Sequence, residues 1–187
     1  MTAAIGPGLY CPTAAVYDLD AMSADEKNEI NPEELSKEYF DKAYQFQMGG
    51  KLKHAVRCYN RSIELHPTAE AFTFLGWTYS FMGNYDEAIE QCKKAIKVDP
   101  EFGNPYNDIG AYFVEMGKFE EAILWLKKAL TAARYEPKHY PHFNLGRIYE
   151  IQGNWTEAME EYKKALELFP TYSLAKDAID RLQARLN

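Results

Sequence analysis

The sequence predicts an all-α superhelix of four helix pairs closed by a C-terminal capping helix. Three observations lead there. A residue pattern returns at spacings of 33, 34 and 36 residues, a glycine-bearing turn recurs inside each unit, and residues 173–186 carry one apolar stripe at helical spacing. Such periods mark repeat architectures, in which a helix pair cannot bury its apolar face alone and must stack on neighbours.

The repeat is read first. The turns are Met48-Gly49-Gly50-Lys51, Met82-Gly83-Asn84-Tyr85, Met116-Gly117-Lys118-Phe119 and Gln152-Gly153-Asn154-Trp155. Before them lie the small residues Ala43, Gly76, Gly110 and Gly146, each followed three residues later by Phe46, Tyr79, Phe113 or Tyr149. After them come Ala55, Ala88, Ala122 and Ala158, then Ser62, Ala95, Ala129 and Ala165. Pro67, Pro100 and Pro170 close three of the units. The turn glycine supplies the left-handed residue that ends the first helix. Small residues let two antiparallel helices approach, large ones fill the space beside them, and proline stops the second helix.

This pattern resembles the tetratricopeptide repeat family, from about Glu33 to Pro170. The second unit carries it most fully, in Phe72, Leu75-Gly76, Tyr79, Gly83, Tyr85, Ala88, Ala95 and Pro100. The first unit departs with Lys42-Ala43 in place of Leu-Gly. The third has Arg134 where the proline is usual, then two extra residues and Pro137, which predicts a longer connection. The resemblance implies a right-handed solenoid with the first helix of each unit on the concave face. The units then run 33–67, 68–100, 101–137 and 138–170, after an N-terminal extension over 1–32, partly irregular with a short helix, and before the cap at 171–187.

The ends have their own signals. Asn31-Pro32-Glu33-Glu34 combines a cap residue, a first-turn proline and acids at the positive helix end. Ser23 with Glu26 matches a capping box. In the final helix Leu174, Ala175, Ala178, Ile179, Leu182 and Leu186 are expected to face the fourth unit. Residues 1–22 are broken by Gly6-Pro7-Gly8 and Cys11-Pro12. Ile5, Leu9, Tyr10, Val16, Tyr17 and Leu19 nevertheless make them apolar enough to touch something.

Composition bounds the function. The 187 residues carry 21 basic and 28 acidic side chains, a net charge of −7. That excludes a nucleic-acid binder, which needs a basic stripe. No apolar run is long enough to span a membrane, and Met1–Leu9 lacks the basic start of a secretory signal. Cys11, Cys58 and Cys92 form no C-x-x-C pair, so free thiols in a reducing, cytoplasmic compartment are expected. His139 and His142 look like metal ligands, but no third ligand is near, and no metal or other cofactor is expected. Asn60-Arg61-Ser62 and Asn154-Trp155-Thr156 are chance glycosylation matches within helices. No phosphate loop, nucleophile elbow or zinc motif appears, so the chain does not read as an enzyme.

The inner helices of the second and third units, Ala69 to Met82 and Gly103 to Met116, contain no Lys or Arg. Lys93, Lys94, Lys97, Lys127, Lys128 and Arg134 fall on the second helices or just beyond. With the concave face taken from the resemblance, helical spacing gives the peptide groove as Tyr44 and Gln47, then Thr73, Trp77 and Ser80, then Asn107 and Ala111, then Phe143 and Arg147. Phe40, Val114 and Glu150 share that spacing. Phe40 and Phe143 read equally well as core. Tyr44 and Trp77 combine an apolar body with a polar tip and suit a binding surface. Arg147 can hold a ligand carboxylate or carbonyl, or pair with Glu150 or Asp180.

Some family members clamp acidic chaperone tails with Lys and Asn on the first inner helix and Lys and Arg on the third. The matching positions here are Phe40 and Tyr44, then Asn107 and Ala111, so an apolar or mildly basic partner is expected rather than an acidic one. The leading function is a non-catalytic protein-interaction scaffold binding an apolar or amphipathic segment in its groove. Two alternatives stand beside it. In one, the N-terminal segment occupies the groove, giving autoinhibition or a homo-oligomer. In the other, a structural subunit uses Lys93 and Lys94 on its outer face.

Overall fold

A computed structural model describes residues 22–23 and 31–186. The apolar segment Ile5–Leu19 and the helix expected from Ser23 and Glu26 lie outside the described residues. Among the described residues there are nine helices and no strand, only an isolated bridge between Phe102 and Arg134. The chain divides into two compact units between Pro100 and Glu101.

The first unit holds α1 (Pro32–Met48), α2 (Leu52–Leu65), α3 (Ala69–Phe81) and α4 (Tyr85–Val98). At the start of α1 the Asn31 side chain accepts a bond from the Glu33 amide at 2.9 Å, and Glu33 and Glu34 sit in the first turn. Thr68 caps α3 by accepting from the Ala71 amide at 3.1 Å. The α3–α4 turn passes through Gly83 at φ 78°, a conformation a side chain would strain. His66 and Asp99, which end α2 and α4, are extended. Each precedes a proline, whose ring excludes the helical conformation from the residue before it.

The small residues act by letting the paired helices touch. A methyl group on Gly76 would stand 2.9 Å from the Ala88 carbonyl and 3.1 Å from Cys92 Sγ. Ala43 fills the same role in the first pair and is fully buried with Tyr59, sixteen residues on. Phe74 joins the pairs, with its ring edge-on to Phe40 at 5.2 Å and to Tyr44 at 5.8 Å.

The second unit holds α5 (Asn104–Glu115), α6 (Phe119–Thr131), α7 (His139–Ile151), α8 (Trp155–Leu168) and α9 (Ser173–Leu186). Gly110 meets Leu126 and Gly146 meets Tyr162; a Cβ on either glycine would fall 2.6 Å from those side chains. The connection from α6 to α7 is long, as the missing proline predicts, and it is tied down. The Arg134 amide donates to the Glu101 carbonyl at 3.0 Å, and the Gly103 amide donates to the Arg134 carbonyl at 3.1 Å. The Arg134 guanidinium covers Phe102 at 4.6 Å, and buried Tyr135 occupies the space beside Gly103.

The cap buries Ala175, Ala178, Ile179 and Leu182 in a cluster with Ala158, Tyr162 and Ala165 of α8. Leu174 departs from expectation, at 48% exposure. The buried stripe runs i, i+3, i+4, i+7 from Ala175, and Leu174 sits one residue, about 100°, off that face. The side chain of Leu186 lies outside the described residues.

Candidate functional site

In the first unit the helices expected to be inner are α1 and α3. Gln47, Thr73 and Ser80 are buried there and make internal bonds. Gln47 Oε1 accepts from the Tyr59 hydroxyl at 2.8 Å. Thr73 donates to the Ala69 carbonyl at 2.7 Å, and Ser80 to the Trp77 carbonyl at 2.8 Å. Tyr44 and Trp77 are half-buried. The Trp77 and Phe81 rings meet at 5.0 Å with their planes tilted by 44°, and Phe81, Met48 and Met82 are exposed. Among the described residues of this unit the exposed large apolar groups are Met48, Phe81, Met82 and Val98, with Trp77 half-buried beside Phe81. Phe40 belongs to the core, 5.3 Å from the Tyr59 ring.

In the second unit the helices expected to be inner are α5 and α7. Asn107 and Asn144 are buried and linked, with Asn144 Nδ2 donating to Asn107 Oδ1 at 3.4 Å. Asn107 Nδ2 donates in turn to Asp108 Oδ1 at 3.3 Å. Burial holds the Asp108 carboxyl protonated at neutral pH, pushed up to about 8. Ala111 is fully buried. Phe143 lies in the core, 5.5 Å from Tyr162 and 5.2 Å from Tyr172.

Arg147 reaches back to α5 and donates to Glu115 at 3.1 Å, so its ion pair is made with the preceding inner helix. Glu115 is not among the partners expected for it, Glu150 and Asp180. Glu150 is gripped by Arg181 of α9 through two bonds, 3.0 and 2.8 Å, and accepts from the Tyr162 hydroxyl at 2.7 Å. Burial pushes the Glu150 carboxyl up, but the Arg181 and Tyr162 bonds outweigh it and hold the group below its ordinary range.

The two histidines, both in the first turn of α7, part company. His139 packs among the rings of Tyr140, Phe169 and Tyr172, while His142 meets the Glu161 carboxylate at 2.6 Å. No cluster of three metal-binding side chains occurs among the described residues. No helix among them is long and apolar enough to cross a membrane.

Sequence reasoning missed Phe81, Glu115, Arg181 and Arg185. The signal for two of them was the repeat itself. Met48, Phe81, Glu115 and Ile151 stand at one register, with the same 33, 34 and 36 spacings, and all but Glu115 are large exposed apolar groups.

Comparison with known proteins gives the context. Models of the tetratricopeptide repeat match residues 69–102, 104–135 and 139–172. Tetratricopeptide repeat protein 16 of Homo sapiens is 29% identical over 150 residues, covering 73% of this chain and 17% of that protein. Anaphase-promoting complex subunit 3 of Schizosaccharomyces pombe is 28% identical over 133 residues, covering 70% and 20%. The chain thus spans no more than a fifth of either relative. Among solved structures, PilF of Pseudomonas aeruginosa superposes with a TM-score of 0.76 at 20% identity, over 83% of this chain and 71% of that one. MamA gives 0.64 at 25% identity, over 80% and 81%.

Proposed function

Because the chain belongs to the tetratricopeptide repeat family, we propose that it is a non-catalytic interaction scaffold whose inner helices take an apolar or amphipathic segment of a partner protein. The observation that carries this reading is exposed Phe81 packed on half-buried Trp77 of α3, with Met48 and Met82 also exposed at the ends of α1 and α3. Large aromatics exposed together are the usual anchors of an interface. The absence of Lys and Arg from α3 supports an apolar or mildly basic segment over an acidic one along that helix. At ~25 cal/mol per Å2, burying a few hundred Å2 gives micromolar, reversible binding once association costs are met. Cytoplasmic residence is part of the proposal, supported by a sequence whose three cysteines form no C-x-x-C pair.

The test compares the intact chain with Trp77→Ala/Phe81→Ala in affinity capture followed by mass spectrometry, with helicity checked by circular dichroism. A partner held by the intact chain and lost from the folded variant supports the reading, and titration of that partner's segment should give a micromolar Kd. Identical captured sets would move recognition away from α1 and α3.

A further inference from the structure

We propose that α7, α8 and α9 build a carboxylate pocket, one that takes an apolar residue joined to a carboxylate, as at the C-terminus of a partner chain. A cavity of about 530 Å3 opens between Arg147, Glu150, Ile151, Trp155, Arg181 and Arg185. Three of its six walls are guanidinium groups, and one is a carboxylate. The walls therefore carry a net positive charge within a chain whose formal charge is −7.

Each guanidinium is already held in place. Arg147 is bonded to Glu115, Arg181 grips both oxygens of Glu150, and Arg185 lies over the Trp155 ring at 4.4 Å. Arg181 and Arg185 are four residues apart and so share a face of α9. Groups fixed in advance lose little freedom when an anion arrives, and a concave wall of one sign concentrates its field. Glu150 offsets Arg181 and Glu115 offsets Arg147, so Arg185 supplies the positive charge that remains in the wall.

The pocket selects more than charge. Ile151 is 58% exposed and Trp155 half-buried, so the cavity has an apolar side, with more room than a bare carboxylate fills. The guanidinium fork matches the two oxygens of a carboxylate, as Arg181 with Glu150 already displays. A residue with an aliphatic side chain and a free α-carboxylate satisfies both sides. An Asp or Glu side chain next to an apolar residue presents the same chemistry.

All residues of the pocket belong to α7, α8 and α9, so its test is independent of Trp77 and Phe81. The full chain, labelled with 15N, is titrated with N-acetylleucine, N-acetylleucinamide, N-acetylglutamic acid α-amide and inorganic phosphate, while the Trp155 indole and arginine Nε–H signals are followed. N-acetylleucine should shift them and saturate in the ~millimolar range of so small a probe, at least about tenfold tighter than the amide. Arg185→Gln, a change at an exposed side chain, should weaken the acid about tenfold, leave the amide unchanged and keep the backbone spectrum. Tighter binding of the leucine acid assigns a chain terminus, and tighter binding of the glutamate derivative assigns an acidic side chain; both support the pocket. Equal binding of acid and amide, phosphate as tight as the acid, retention of the preference in Arg185→Gln, or no shift with any probe would overturn it.

Discussion

Asp108 gives the sharpest quantitative prediction. It is 3% exposed on α5, beside Asn107, and its carboxyl is pushed up to about 8 by burial. In the unfolded chain it titrates near 3.8. Between those values the folded state keeps a proton that the unfolded state has released. Stability from this group is therefore complete below pH 3.8 and is lost as pH rises, until the folded carboxyl itself ionises near 8. Each pH unit in the window removes about 1.4 kcal/mol, so the step from pH 5 to pH 7 removes about 3 kcal/mol. In a chain of this size that lowers Tm by roughly 6–12 °C. His139, whose pKa burial lowers, acts in the opposite sense below its unfolded value, so the difference between two proteins is the quantity to measure. Asp108→Asn has the same shape, keeps a donor in place of the acid proton and cannot titrate. Urea unfolding of both proteins from pH 5 to 9 should show the variant gaining on the parent by about 3 kcal/mol between pH 5 and 7, with the gap constant above 8. Parallel stability profiles for the two proteins would refute the assignment of a buried neutral carboxyl.

Two further predictions concern packing. Gly146→Ala places a methyl group 2.6 Å from the Tyr162 ring and should cost about 1–3 kcal/mol by denaturant unfolding, while Gly146→Ala/Tyr162→Leu should recover part of the loss. On α9, Leu182→Ala should cost about 2–5 kcal/mol and Leu174→Ala less than about 0.5 kcal/mol, because only the first is buried; similar costs for both would overturn the described face of the cap.

The repeat register and the helix ends were legible because each has a local cause. Asn31, Pro67 and the turn glycines act through the backbone of their own segment, and sequence displays that directly. The candidate groove was less legible for a tertiary reason. Residues spaced along an inner helix alternate between groove and core with almost the same period, so Gln47, Thr73 and Asn107 satisfy the spacing yet lie buried. Their polarity gave no warning, because a buried amide or hydroxyl with a bond at hand costs little. Leu174 failed similarly, since one helical step decides burial. Arg181 and Arg185 drew no site reading from the sequence because the groups they meet, Glu150 and Trp155, lie on α7 and α8, far away in sequence.

The repeat also explains why the arginine pocket stands where it does. Gln47, Ser80, Val114 and Glu150 occupy one register, and Tyr59, Cys92, Leu126 and Tyr162 another. Where the second position is tyrosine, its hydroxyl needs an acceptor in the helix pair, and the first position supplies Gln47 or Glu150. Where it is Cys92 or Leu126, Ser80 or Val114 suffices, with no such hydroxyl to satisfy. The fourth unit meets the need with a charge where the first uses a neutral amide. A carboxylate at 21% side-chain exposure needs a cation, and α9, the element packed against α8, supplies Arg181. Arg185 follows four residues later on the same face and comes to rest over Trp155. The fourth unit's tyrosine thus leads through Glu150 to the arginine wall. Glu150→Gln, which restores the amide found in the first unit, should keep the Tyr162 bond while loosening Arg181.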